Sequence, residues 1–121
     1  MKVKIDTKEK FTVITPEEAD LPANMTEDIR RTLLSYLDKT TKNIIINLEN
    51  VVKIDLSVAS VLLSVQQQFY SCPASMVVCQ LQLAVEAFLR EKGILLSLNV
   101  TPTESEAWDI VQMEEIEREF G

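Results

Sequence analysis

Few side chains in this sequence have the type and spacing for chemistry. Asp55 and Ser57 stand two apart in Lys53-Ile54-Asp55-Leu56-Ser57-Val58-Ala59-Ser60. A carboxylate near a hydroxyl raises nucleophilic catalysis, but the hydroxyl needs a base within hydrogen-bond reach. Residues two apart at a helix start do not face each other, and the chain has no histidine. His-based triads, imidazole metal sites and histidine phosphotransfer are therefore excluded in this chain. Cys72 and Cys79 are too few for a zinc framework. Cys79 lies in an apolar run and reads as a small buried hydrophobe. Cys72, beside Pro73, reads as a loop thiol, and both fit a reducing compartment. With only two glycines, a Gly-rich phosphate cradle is ruled out. No catalytic residue, cofactor or metal ligand is expected.

The elements around Asp55 and Ser57 follow from pattern. Ile44-Ile45-Ile46-Asn47-Leu48 is β-branched with little alternation, which predicts a strand covered on both faces. Leu56 to Tyr70 is the most apolar helical segment, so the stretch between is the turn from buried strand to buried helix. Met76-Val77-Val78-Cys79 predicts a second buried strand, and Leu95 to Val100 a weaker final one. Val3 and Ile5, then Phe11 and Val13, alternate across a turn and predict an N-terminal hairpin. A first helix is predicted with Asn24 as N-cap, Glu27 completing a capping box, and Met25, Ile29, Leu33 and Leu37 as its apolar stripe. Leu83, Ala87 and Leu89 mark a third helix ended by Gly93. Pro102 introduces a last helix around Ala107, Trp108, Ile110 and Val111.

At 121 residues and 46% hydrophobic composition, one domain with a modest core is expected. Strands alternating with helices after a hairpin imply an α/β fold with a mostly parallel sheet. The N-terminus has no apolar signal segment, and no run is long enough to span a bilayer. A cytoplasmic protein without membrane insertion is expected. Net charge is −7. Seven acids (Glu104, Glu106, Asp109, Glu114, Glu115, Glu117, Glu119) against Arg118 place −6 of it in the last helix, read as a solvated face. With no basic face, nucleic acid is not an expected partner.

At 100° per residue, Ser57, Ser60, Ser64, Gln67, Gln68 and Ser71 fall on one arc of the central helix. Nearly all its other residues are apolar, with Gln66 the exception. The polar stripe carries no charge, although 26% of the chain is charged. Two readings stand: a partner covers it at little desolvation cost, or a neighbouring loop of the same domain does. If Asp55 is the N-cap, Ser57 is the second helical residue, where a phosphate meets unpaired N–H groups and the positive end of the dipole. The plainer alternative is that Asp55 and Ser57 only start the helix.

In these residues the chain resembles the STAS family, the anti-sigma factor antagonist-like domains. The family pattern is a strand ending in Asp-Leu, a short link, then hydrophobic-Asp-Ser-Ser-Gly opening a helix. The matching residues run from Ile46-Asn47-Leu48 through Ile54-Asp55-Leu56-Ser57-Val58. The resemblance continues through Val85 to Ile94 and ends at Thr103-Glu104-Ser105-Glu106-Ala107. It implies one STAS-like domain over residues 1–121, with a mixed, mostly parallel sheet of about five strands, four helices and an N-terminal β-hairpin. Ser57 matches the serine phosphorylated in switching members, and Asp55 the aspartate before it. Such members, unphosphorylated, bind a serine kinase that sequesters a sigma factor; phosphorylation stops that binding. Leu56 replaces the first serine, Val58 the glycine and Asn47 an aspartate. Valine in place of glycine is expected to hinder close approach of a partner backbone.

The expected function is a non-enzymatic regulatory module whose partner surface is Asp55, Leu56, Ser57, Val58, Ser60, Val61 and Ser64, switched at Ser57. The alternative is a constitutive STAS interaction subunit, for example of a membrane-transport complex, without phosphorylation. A small hydrolase using Asp55 and Ser57 is the third class weighed, and it lacks an evident base.

Overall fold

Side chains along a strand point alternately to opposite faces of the sheet, so central strands that are apolar throughout need cover on both sides. The computed structural model, which describes residues 1–121, provides it. The chain runs β1 (Val3–Thr7), β2 (Thr12–Pro16), β3 (Asp20–Leu21), α1 (Thr26–Leu34), β4 (Ile44–Asn47), β5 (Lys53–Ile54), α2 (Leu56–Ser71), β6 (Met76–Cys79), α3 (Leu83–Glu91), β7 (Val100–Thr101) and α4 (Glu104–Phe120). Five strands form one sheet in the order β1-β2-β4-β6-β7. The β1–β2 hairpin is antiparallel and every other pairing in it is parallel.

Ile44 and Ile46 of β4, with Met76 and Val78 of β6, face the larger core, which α1, α2 and α3 close. The intervening Ile45, Val77 and Cys79 face a smaller core with Phe11, Val13 and the α4 residues Ala107 and Val111. Helix α2 supplies Val58, Ala59, Val61, Leu62, Val65 and Phe69, all buried, to the larger core. Full burial of one such large side chain contributes about 1.5–3 kcal/mol, so the larger core depends on α2 more than on α1 or α3. Each of those supplies two buried residues, Ile29 and Leu33 or Val85 and Leu89. The burial of Cys79 pushes its thiol pKa up to about 12, as befits an inert core residue.

Three expectations change. Asn24 does not cap α1: Ala23–Met25 forms a 3-10 turn, and Met25, in the capping position, makes no side-chain cap bond. Met25 packs on the core instead, and Glu27 pairs with Arg30 at 3.7 Å. Only Val100–Thr101 is strand near the C-terminal end. Ile94 to Leu98 makes a helical turn, with the Ser97 and Leu98 amides donating to Ile94 O. That spacing of four buries Ile94 and Leu98 together. Leu83, Ala87 and Leu89 lie in α3 as expected, with Leu83 and Ala87 exposed and Val85 and Leu89 buried. Gly93 ends this segment as expected, at φ 74°.

The last helix is not simply a solvated acidic face. Glu104 accepts from Asn47 Nδ2 at 3.0 Å, Glu114 from Tyr70 OH at 2.7 Å and Glu115 from Asn43 Nδ2 at 2.9 Å. Burial and Glu114 together raise the Tyr70 pKa to about 12, so it remains a donor. Asn43 is a hub: its Oδ1 accepts from Ser75 N and from Arg118, which also bonds Ser75 Oγ and Glu115. Gln66, the polar residue on the buried side of α2, clamps the turn before β7. Its Nε2 donates to Ser97 O at 3.0 Å and its Oε1 accepts from Asn99 N at 2.7 Å.

Two outcomes are expected. Gln66→Leu leaves the Ser97 carbonyl and Asn99 amide without their partner and destabilises by about 1–3 kcal/mol in urea unfolding. Hydrogen bonds from Asn43 and Arg118 hold the Glu115 pKa below its ordinary value. The stability this contributes is complete above the unfolded carboxyl pKa and lost as pH falls through the lower folded one. Glu115→Gln should therefore have a lower urea midpoint than the parent near neutral pH. The two midpoints should converge as pH falls below about 4.

Candidate functional site

A two-stranded parallel sheet fixes the entry to α2. β3 pairs with β5 through Asp20–Lys53 and Leu21–Ile54, and Asp55 N donates to Leu21 O at 3.0 Å. With its depth thus set, Asp55 takes an extended backbone (φ −77°, ψ 151°) and becomes the N-cap. One of its carboxylate oxygens accepts from Ser57 N at 2.9 Å and from Ser57 Oγ at 2.6 Å. The bond from Ser57 Oγ, reinforced by that from its amide, holds the Asp55 pKa below the usual carboxylate range. The two residues do face each other. The expectation that they would not treats both as helical, whereas the extended Asp55 turns its side chain back over the first turn.

Ser57 is the second residue of α2 and half-exposed. Thr26 Oγ1, at the start of α1, lies 3.3 Å from Ser57 Oγ. A hydroxyl is therefore presented at a helix N-terminus, where the positive dipole end favours an anion, with a carboxylate beside it that accepts its hydrogen bond. A concavity of about 440 Å³ between Leu81, Leu95 and Pro102 includes neither residue.

The rest of the expected partner surface divides. Leu56 is 45% exposed, Ser60 is exposed and Ser64 half-exposed. Gln67, Gln68 and Ser71 are exposed too, so no loop of the domain covers the stripe. Val58 and Val61 are buried and drop out of the contact surface. Val58 also does not obstruct approach to Ser57, because its side chain packs into the core; the departure from glycine acts inside, not outside. Leu56 is the departure that reaches solvent. Asn47, buried at the end of β4, donates to Glu104 and accepts from Glu49 N at 2.9 Å.

The family pattern described as STAS domain matches residues 2–107. The chain belongs to the STAS family. Its fold agrees with solved structures of low sequence identity. A Thermotoga maritima protein described as an anti-sigma factor antagonist has TM-score 0.81 and 17% identity over 91% of this chain and 94% of that one. The anti-sigma factor antagonist SpoIIAA in its unphosphorylated form has TM-score 0.72 and 18% identity over 92% and 96%. A murine Slc26a9 anion transporter has TM-score 0.68 and 17% identity over 86% of this STAS domain and 18% of the transporter. No curated protein matches the sequence. The five-stranded mixed sheet, four helices and N-terminal hairpin are those of the family. No helix of this STAS domain is long and apolar enough to cross a membrane.

Capping separates Asp55 from Ser57. Asp55→Ala removes the acceptor for the Ser57 amide and should lower the thermal midpoint by several degrees. Ser57→Ala keeps that amide bond but loses the hydroxyl bond, and should lower it by a smaller amount. The Asp55 contribution, resting on a depressed pKa, is complete near neutral pH and fades as pH falls through that lowered value. Paired thermal melts across acidic pH measure both effects.

Proposed function

We propose that this STAS domain is a non-enzymatic, cytoplasmic protein-binding module of the anti-sigma factor antagonist type. In this reading it binds a serine kinase that also acts as an anti-sigma factor, and phosphorylation of Ser57 switches it off. One observation carries the proposal. The Ser57 hydroxyl is surface-accessible at the head of an exposed, uncharged helical stripe, 2.6 Å from the Asp55 carboxylate that accepts its hydrogen bond. The kinase would transfer the γ-phosphoryl group of ATP to Ser57 Oγ, the hydroxyl proton would pass to Asp55, and ADP would leave.

A phosphate adds about two negative charges. It would arrive beside the Asp55 carboxylate and break the bond between the two side chains. Ser60, Ser64, Gln67 and Gln68 offer no cation to neutralise it, so the surface that was cheap to desolvate becomes costly to bury. The buried side of α2 is untouched, so binding is lost while the fold remains.

Leu56 favours a second reading. An apolar side chain 45% exposed, where the family pattern has serine, suits a contact kept permanently covered. Together with the likeness to part of an anion transporter, it supports a constitutive subunit of a membrane-transport complex.

Incubation with the candidate kinase and ATP, followed by mass spectrometry, should place one phosphate on Ser57. Ser57→Asp should weaken kinase binding at least about tenfold, roughly 1.4 kcal/mol, while Ser57→Ala retains it. An unmodified Ser57, with Ser57→Asp binding as well as the parent, overturns the switch; capture of transporter components then favours the second reading.

A further inference from the structure

Helix α4 has a second face, turned away from the sheet. Its inward side holds Ala107 and Val111 in the smaller core and Glu104, Glu114 and Glu115 in the hydrogen bonds described above. Arg118, the only cation of the helix, also points inward, onto Ser75, Asn43 and Glu115. On the outer side Met113, Ile116 and Phe120 follow at spacings of three and four and share one face. They are 51%, 54% and 86% exposed. Asp109 and Glu117 stand four residues before and after Met113, on that same face. Both are exposed, and neither takes part in any of the ion pairs of the structure.

The charged residues of α4 on the stripe's own face are carboxylates, with neutral Gln112 at its flank and the lysines Lys8 and Lys10 beyond Gln112 and Trp108, and that pattern selects its occupant. A second copy packed face to face would bring Asp109 and Glu117 of both chains together with no cation between them. An anionic lipid surface is repelled for the same reason. A segment with lysines or arginines bordering apolar anchors is the complement on both counts, and the negative end of the helix dipole near Phe120 adds to the attraction. We infer that the outer face of α4 docks a cationic amphipathic helix of a partner protein. Its apolar side chains rest on Met113, Ile116 and Phe120, and its cations pair with Asp109 and Glu117. The surface lies beyond the STAS pattern, which ends at residue 107. It is also on the opposite side of the sheet from Ser57, so the domain can hold two partners at once.

The probe is a synthetic amphipathic helix of leucine and lysine, titrated against the full chain by fluorescence anisotropy, with a leucine–glutamate helix as control. The lysine peptide should bind saturably at one site and the glutamate peptide should not. Ile116→Ser combined with Phe120→Ser should weaken binding at least about tenfold, with circular dichroism and thermal melting unchanged. Asp109→Lys combined with Glu117→Lys should abolish binding of the lysine peptide. Ser57→Asp should leave it intact, which separates this surface from the switch. No saturable binding, equal binding of both peptides, or full binding by the serine double variant overturns the inference. So does self-association of the parent chain that the serine double variant loses, since a second copy would then be the occupant.

Discussion

The central strands β4 and β6 are buried at every position, and that requirement organises the domain. One layer of helices leaves half of their side chains in water. The chain meets the need unequally. Three helices close one face, and α4, with the hairpin residues Phe11 and Val13, closes the other. Helix α2 must sit deep in the larger layer, so only a narrow strip of it reaches solvent. Functional polarity is confined to that strip because the rest of the helix is committed to packing.

Much of this was legible in the sequence. The unbroken runs Ile44–Leu48 and Met76–Cys79 have the pattern of strands covered on both faces, and α2 shows its two sides by residue type alone. What failed had weaker physical signals. The Asn24 box gives way to a 3-10 turn over Ala23–Met25, which rests the half-buried Met25 against the core. Leu95 to Val100 looked like a strand by composition, but Ile94 and Leu98 obeyed a spacing of four. β3 and β5, two residues each, are too short to leave a pattern, yet they set the depth of Asp55. The inward bonds of Glu104, Glu114 and Glu115 depend on partners far along the chain, which no local window contains.

At the site, sequence puts Asp55 in the capping position and Ser57 second in the helix, and the structure agrees. Helical spacing alone keeps Asp55 and Ser57 apart, whereas the extended backbone of a cap allows the contact. Sequence position puts Val58 and Val61 beside the partner surface, and packing removes them from it. Helical position gave the direction of Ser57 correctly, because the serine lies on the polar arc whichever residue starts the helix. The meaning of Leu56 needed the structure: only its exposure tells a surface change from an internal one.

The bond between Asn47 and Glu104 ties the end of β4 to the start of α4. An aspartate at 47, the residue of the family pattern, would set two carboxylates at hydrogen-bond distance, and one would have to hold a proton. Unless the half-exposed Glu104 turns out to solvent, the two positions are therefore matched to each other. Grafting the family's strand ending onto this chain, or this last helix onto a relative, would carry half of a matched pair into an environment built for the other half.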